Sequence, residues 1–240
     1  MGEPPPAAGQ PPGESPPTGE PTTDACGCDA FASIFDRRTA DGDRERYRRK
    51  GPDHTTRMLL ELLEPYRSAG VSLLDIGGGV GIIDHELLRA GAGHAVLVDG
   101  SAAYLKVARE EASRAGLLDR IEFVQGDFVR RAAGIDEADI VTLDRVVCCY
   151  PDVASLVGLS AERARSAYGL VMPRDRWFVR LAIGLENLWF RARRRPYRAF
   201  VHPTERVDAI LAERGLLASG ERRTSFWRAV VYDRVAASQA

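Results

Sequence analysis

The stretch Leu73-Leu74-Asp75-Ile76-Gly77-Gly78-Gly79-Val80-Gly81 decides the fold. An apolar run reading as a buried strand over 71–76 closes on glycines, and 82–90 resumes with helical periodicity. Glycine suits such a junction for three reasons. The turn is tight, the backbone must approach a ligand closely, and the N–H groups of the following helix face that ligand. The dinucleotide-binding spacing G-x-G-x-x-G does not fit, because from Gly77 it requires glycine where Ile82 stands, and from Gly78 where Val80 stands.

Outward from this turn, strand and helix patterns alternate. Strands are expected at 95–99, 121–125, 138–144 and 168–172, with helices at 102–115 and 153–166. That alternation predicts right-handed βαβ units, hence an α/β, Rossmann-like doubly wound sheet. The end of the chain departs from it. A helix over 203–214 stops at Gly215, and strands at 216–224 and 226–235 follow with only a short turn between them. Parallel neighbours cannot be joined so briefly, so the sheet is expected to be mostly parallel with an antiparallel C-terminal hairpin. Before the first strand, 55–66 suits an amphipathic helix, and Phe31, Ile34 and Phe35 share a helical spacing ahead of the charged run 36–50.

Acidic residues recur where the strands end. Asp99 closes the second strand, with Gly100 and Ser101 behind it. Its carboxylate can accept both hydrogen bonds of a ribose 2′,3′-diol at the edge where open α/β sheets bind ligands, and it equally suits a cap for the helix starting near Ala102. Asp127-Phe128 closes the third strand and Asp144-Arg145 the fourth. Motif by motif, 71–145 resembles the cofactor half of a class I S-adenosylmethionine-dependent methyltransferase. The resemblance implies that S-adenosylmethionine is held by Asp75, Gly77, Gly78, Gly79, Gly81, Asp99, Gly100, Ser101, Asp127, Phe128, Asp144 and Arg145. Within it, Asp127 is expected to hold the adenine amino group and Phe128 to pack on the ring.

Composition bounds the rest. Eight of the fourteen prolines fall before residue 26, so 1–28 reads as a disordered tail; 29–66 reads as a helical lid and 67–240 as the methyltransferase domain. A net charge of −1 argues against a general nucleic-acid binder. The start shows no basic stretch leading into an apolar one, and no run approaches the roughly 20 apolar residues needed to span a bilayer. With four cysteines, that leads to reduced thiols and a cytoplasmic location as the expectation.

The acceptor half is less standard. The loop after the fourth strand carries Cys148, Cys149 and Tyr150, and Cys148 and Tyr150 are read as substrate contacts. Cys26-x-Cys28 is too closely spaced for a zinc finger and a vicinal pair grips one tetrahedral ion poorly, so no metal site is expected. The insert 174–198 mixes aromatic and aliphatic residues with eight arginines against Asp175 and Glu186, with Arg174 and Trp177 read as substrate-binding. It suits a helix packed on the body, a membrane-surface helix giving peripheral contact, or a lid over an apolar substrate bearing carboxylates.

This half is loosely similar to the magnesium-protoporphyrin O-methyltransferase group, through Arg198-Ala199-Phe200-Val201-His202, the hairpin ending Phe226-Trp227-Arg228-Ala229, and a helix with Tyr47, Arg48 and Gly51. The resemblance implies O-methylation of a small, amphiphilic or carboxylate-bearing molecule, with Tyr47 and His202 as catalytic candidates. Cysteine-assisted methylation at sulfur or arsenic, and a nucleotide-binding protein without catalysis, stand as alternatives.

Overall fold

The computed structural model describes residues 34–235. The tail 1–28, Cys26, Cys28 and Phe31 therefore lie outside the described residues. Seven strands form one sheet in the order β3-β2-β1-β4-β5-β7-β6. These are β1 (Ser72–Ile76), β2 (His94–Asp99), β3 (Ile121–Gln125), β4 (Ala138–Asp144), β5 (Ala164–Pro173), β6 (Leu216–Arg223) and β7 (Trp227–Arg234). β1 to β5 pair in parallel, and β7 runs antiparallel between β5 and β6. The expected fold, mostly parallel with an antiparallel hairpin, is the fold observed. That the last strand slips inside the hairpin partner is new from the structure.

The helices are α1 (Arg37–Lys50), α2 (His54–Leu62), α3 (Ile82–Arg89), α4 (Ala102–Ala115), α5 (Phe128–Arg131), α6 (Val153–Ala161), α7 (Trp177–Ala192) and α8 (Thr204–Ala212). They cover both sheet faces, and the alternation of strand side chains builds a core on each. Leu74, Val141, Leu170 and Val230 face α6 and α8, while Leu73, Ile140, Val171 and Val231 face α2, α3 and α4.

The expected helix over 153–166 ends at Ala161, and β5 begins four residues before the expected 168. β5 is paired on both sides, from Ala138↔Ala164 on β4 to Pro173↔Trp227 on β7, and this ladder overrides the local helical pattern. The insert forms α7, directly after β5. α1 lies in the charged run, because Asp36 caps it by accepting the Thr39 N–H (2.8 Å).

Leu97, wholly buried on β2, supports the glycine turn from below. Leu97→Ala is expected to lower unfolding free energy by about 2–5 kcal/mol, through lost burial and a residual cavity. Urea unfolding checks this, and a change below the roughly 0.5 kcal/mol typical of surface substitutions contradicts it.

Candidate active site

The C-terminal edge of β1, β2, β3 and β4 opens into a cleft of about 340 Å³, within the roughly 300–1,000 Å³ of small-molecule sites. Gly77, Gly79 and Gly81 all have positive φ, so the turn crosses conformations that residues with a Cβ avoid. At Gly77 a Cβ would also meet Val146 Cγ2 at 2.5 Å. Gly77 and Gly79 line the cleft, whereas Gly78 and Gly81 form the layer behind it. A Cβ at Gly78 would meet Asp75 Oδ2 at 2.7 Å and Leu97 Cγ at 2.8 Å.

Asp75 itself is not in the cleft. It lies buried beneath the turn, where one carboxyl oxygen accepts from Thr142 Oγ1 on β4 (2.7 Å). Burial raises its pKa well above the carboxylate range and the charge of buried Asp84 raises it further; burial carries Asp84 to about 7. Asp75 therefore supports the turn from underneath, a correction to its reading as a ligand contact.

Asp99 does line the cleft. Oδ2 accepts the Gly79 N–H (3.0 Å) and Oδ1 the Ser101 N–H (2.7 Å), so the carboxylate binds the turn after β1 to the turn after β2. Burial raises its pKa to about 6 against the opposing pull of these two bonds. Gly100 and Ser101 share the wall, and Ser101 Oγ both caps α4, accepting the Tyr104 N–H (3.2 Å), and donates to the Phe35 carbonyl (2.7 Å). Asp127 and Phe128 stand across from them. The Tyr150 hydroxyl donates to both Asp127 oxygens at 3.1 Å, so Tyr150 orients a carboxylate rather than reaching for an acceptor.

At the far end stand Asp144, Arg145, Val146 and Cys149. Arg145 has φ +63°, a strained value for a residue with a Cβ. It pairs with Asp53 (2.6 Å) and Asp144 (3.1 Å). Asp53 also caps α2, accepting the Thr55 and Thr56 N–H groups at 3.0 Å, and Thr56 Oγ1 donates to Asp144. Burial opposes ionisation of Asp53, but the Arg145 charge and these bonds hold it at about 2.

The cleft-side thiol is Cys149, not Cys148. The two thiols lie 3.8 Å apart and both reach the Arg145 carbonyl, but Cys148 is buried on it (3.2 Å), while Cys149 Sγ also lies 3.0 Å from the Tyr197 hydroxyl and lines the cleft. The bond from Cys149 and burial push the Cys148 thiol up, and the contact with Cys148 brings Cys149 down.

Four further candidates do not reach the cleft wall. Tyr47 is buried, donating to Glu86 (2.7 Å) and accepting from Arg89 (2.8 Å). His202 donates through Nε2 to the Tyr150 carbonyl (3.0 Å), and burial lowers its pKa. Arg174 donates to the Thr224 carbonyl (2.8 Å), and Trp177 is 76 % exposed. Structural partners occupy the first three and Trp177 faces solvent, neither of which sequence spacing reveals.

The structure adds Phe35, Asp43, Arg46 and Tyr104 to the wall. Tyr104 donates to Asp43 (2.6 Å), Asp43 pairs with Arg46 (3.0 Å), and the Phe35 ring meets Tyr104 edge-on at 5.8 Å. Asp43 and Arg46 share one turn of α1, but nothing in the charged run sets them apart from their solvated neighbours. Among the described residues no group of three or more His, Cys, Asp or Glu could hold a metal ion.

Residues 73–165 match the family model of the methyltransferase domain. With this sheet order and cleft, the match defines the class: that stretch lies in a class I methyltransferase fold. Over 91 residues it is 35% identical to the ribosomal protein L11 methyltransferase of Pelotomaculum thermopropionicum, covering 38% of this chain and 29% of that one. Over 76 residues it is 36% identical to the ubiquinone/menaquinone biosynthesis C-methyltransferase of Roseobacter denitrificans, covering 31% and 30%. The chain thus spans under half the length of these curated relatives.

Among solved structures, the magnesium protoporphyrin IX methyltransferase of Synechocystis PCC 6803 with bound SAH aligns over 88% of this chain and 96% of that one, at TM-score 0.61 and 17% identity. An O-methyltransferase family protein of Burkholderia thailandensis aligns over 85% and 62%, at TM-score 0.66 and 20% identity. At these identities the likeness is one of fold.

Asp99 gives the site a pH signature. Its raised pKa means that it takes up a proton as pH falls through about 6, removing the charged acceptor from the cleft. Affinity for S-adenosylmethionine is expected to be flat from about pH 7 to 8 and to fall by up to about tenfold per unit below 6. Titration calorimetry across that range checks this, and a flat profile down to pH 5 would show that Asp99 is not a ligand contact.

Proposed function

We propose that this chain transfers the methyl group of S-adenosylmethionine to a small, amphiphilic or carboxylate-bearing acceptor, at oxygen. The observation that carries the reading is the placement of Asp99. Each of its oxygens accepts one backbone N–H, which fixes the carboxylate and leaves a lone pair on each oxygen for a vicinal diol. Opposite it, Asp127 is held by Tyr150 and suits the adenine amino group, beside the buried Phe128 ring. Gly77 and Gly79 then let the methionine part of the cofactor lie against bare backbone. The residues present fit the cofactor.

Bound there, S-adenosylmethionine supplies an electrophilic methyl on a sulfonium. The chain's own contribution is to bring a nucleophile into line and exclude water. Phe35, Val146 and Cys149 form an apolar wall at that end, with Arg46 and Arg145 beside them. Such a wall favours an apolar body, and both cations are already paired, Arg46 with Asp43 and Arg145 with Asp53 and Asp144. An ionised carboxylate acceptor requires no general base, which agrees with a wall that includes neither His202 nor Tyr47. Phe35, and Asp43 and Arg46 of α1, line the cleft, whose volume of about 340 Å³ suits a small molecule.

Asp99→Asn is expected to weaken S-adenosylmethionine binding by about ten- to a hundredfold, the cost of losing hydrogen bonds to a charged acceptor. Calorimetric titration with S-adenosylmethionine, S-adenosylhomocysteine and NAD tests the whole reading. Binding of NAD with neither sulfur cofactor would sink it.

A further inference from the structure

Helix α7 (Trp177–Ala192) is apolar on two sides. Val179, Ile183 and Phe190 form its inner face, in a cluster with Tyr197 and Ala199 that also packs Phe35 and Cys149 of the cleft wall. At about 100° per residue, Trp177, Leu181, Leu185 and Leu188 fall together within an arc of roughly 80° on another side. They are 76 %, 55 %, 60 % and 60 % exposed, with exposed Gly184 and Ala192 in the same stripe. No described residue covers them. A helix lying on a soluble body ordinarily turns charge to water here.

Charge surrounds this stripe unevenly. Arg180 borders it and pairs with Asp175. At the C-terminal end stand Arg191, Arg193, Arg194, Arg195 and Arg198, all exposed and none with a carboxylate partner among the described residues. The Arg193 guanidinium lies 4.2 Å over the Trp189 ring, so an indole sits near each end of the helix. The one acidic residue of α7, Glu186, is about half a turn away from the stripe. A second copy of this face therefore offers the arginine cluster almost no opposite charge, whereas an anionic lipid surface offers both phosphates for the arginines and an apolar layer for the leucines.

We propose that α7 is a peripheral membrane-docking helix. It lies flat on anionic lipid, with Trp177, Leu181, Leu185 and Leu188 at the headgroup–acyl boundary and the 191–198 arginines on the phosphates. No described helix is long and apolar enough to cross a membrane, which agrees with docking at the surface. Because the inner face of α7 packs with Phe35 and Cys149, docking places the far end of the cleft beside the bilayer. The inference concerns an outer surface and does not rest on the proposed reaction.

The test is co-sedimentation of the full chain with vesicles of phosphatidylcholine alone and of phosphatidylcholine mixed with phosphatidylserine, at about 0.1 M salt. Binding to the mixed vesicles is expected to be at least about tenfold tighter, with a blue shift of tryptophan emission. Replacing Leu185→Gln with Leu188→Gln is expected to weaken it about tenfold or more. Arg191→Gln with Arg194→Gln should cost about fivefold for each charge removed. Calorimetry with S-adenosylmethionine checks that each variant keeps its folded cleft, and its failure in the unaltered chain would count against the proposed function alone. Equal or absent binding to the two vesicles overturns the proposal. So does a dimer that the leucine substitutions dissociate, or binding to ribosomal RNA that depends on the arginines and ignores the leucines.

Discussion

The edge of the sheet where ligands bind depends on one buried carboxyl group. Asp75, the penultimate residue of β1, is buried, accepting from Thr142 on the neighbouring strand and standing close to the equally buried Asp84 near the start of α3. A charged pair of carboxylates in that interior would repel strongly, so burial and the neighbouring charge raise Asp75 well above the carboxylate range. The turn from β1 into α3 is thereby fastened at both ends by groups beneath it. Gly78 leaves room for the Asp75 oxygen, and Gly77 and Gly79 carry the chain over it. Asp99 then ties that turn to the next one.

The second half of the site is assembled from segments distant in sequence. The end of β4 is drawn to α2 through Arg145, Asp53, Asp144 and Thr56. The start of α4 is drawn to the N-terminal segment through Ser101 and Tyr104. The positive φ of Arg145 is the local strain that this arrangement maintains, and its two ion pairs, with Asp53 and Asp144, hold it. α7 closes the wall from outside, so that Cys149 and Tyr197 meet behind it.

The sequence made the fold legible because strand ends, glycines and turn lengths are local signals. Buried runs such as 71–76 and the short connection before Phe226 leave few topologies. The cleft was legible where a motif carries its own geometry, as with Gly77, Gly79, Asp99 and Asp127. It was not legible where a polar side chain is used by a distant partner. Tyr47 and His202 look equally free in the sequence, yet Glu86, Arg89 and the Tyr150 carbonyl occupy them. Choosing between Cys148 and Cys149 required the backbone path of one short turn. Asp43 and Arg46 were hidden for the opposite reason, because a charged helix offers many equivalent pairs.

The attachment of α1 is uneven along its length. Near its C-terminal end Arg48 meets Glu111 at 2.7 Å, and although burial opposes it, bonds from Arg114 and Arg48 hold that carboxylate at about 2. Toward its N-terminal end Arg37 pairs with Glu110 at 2.8 Å, where both side chains are about two-fifths open to water. Added salt screens the second pair far more than the first. As ionic strength rises, the N-terminal end of α1 therefore comes to rest on contacts that salt does not screen: the Tyr104 bond to Asp43, the Ser101 bond to the Phe35 carbonyl, and the Phe35 ring packed on Tyr104.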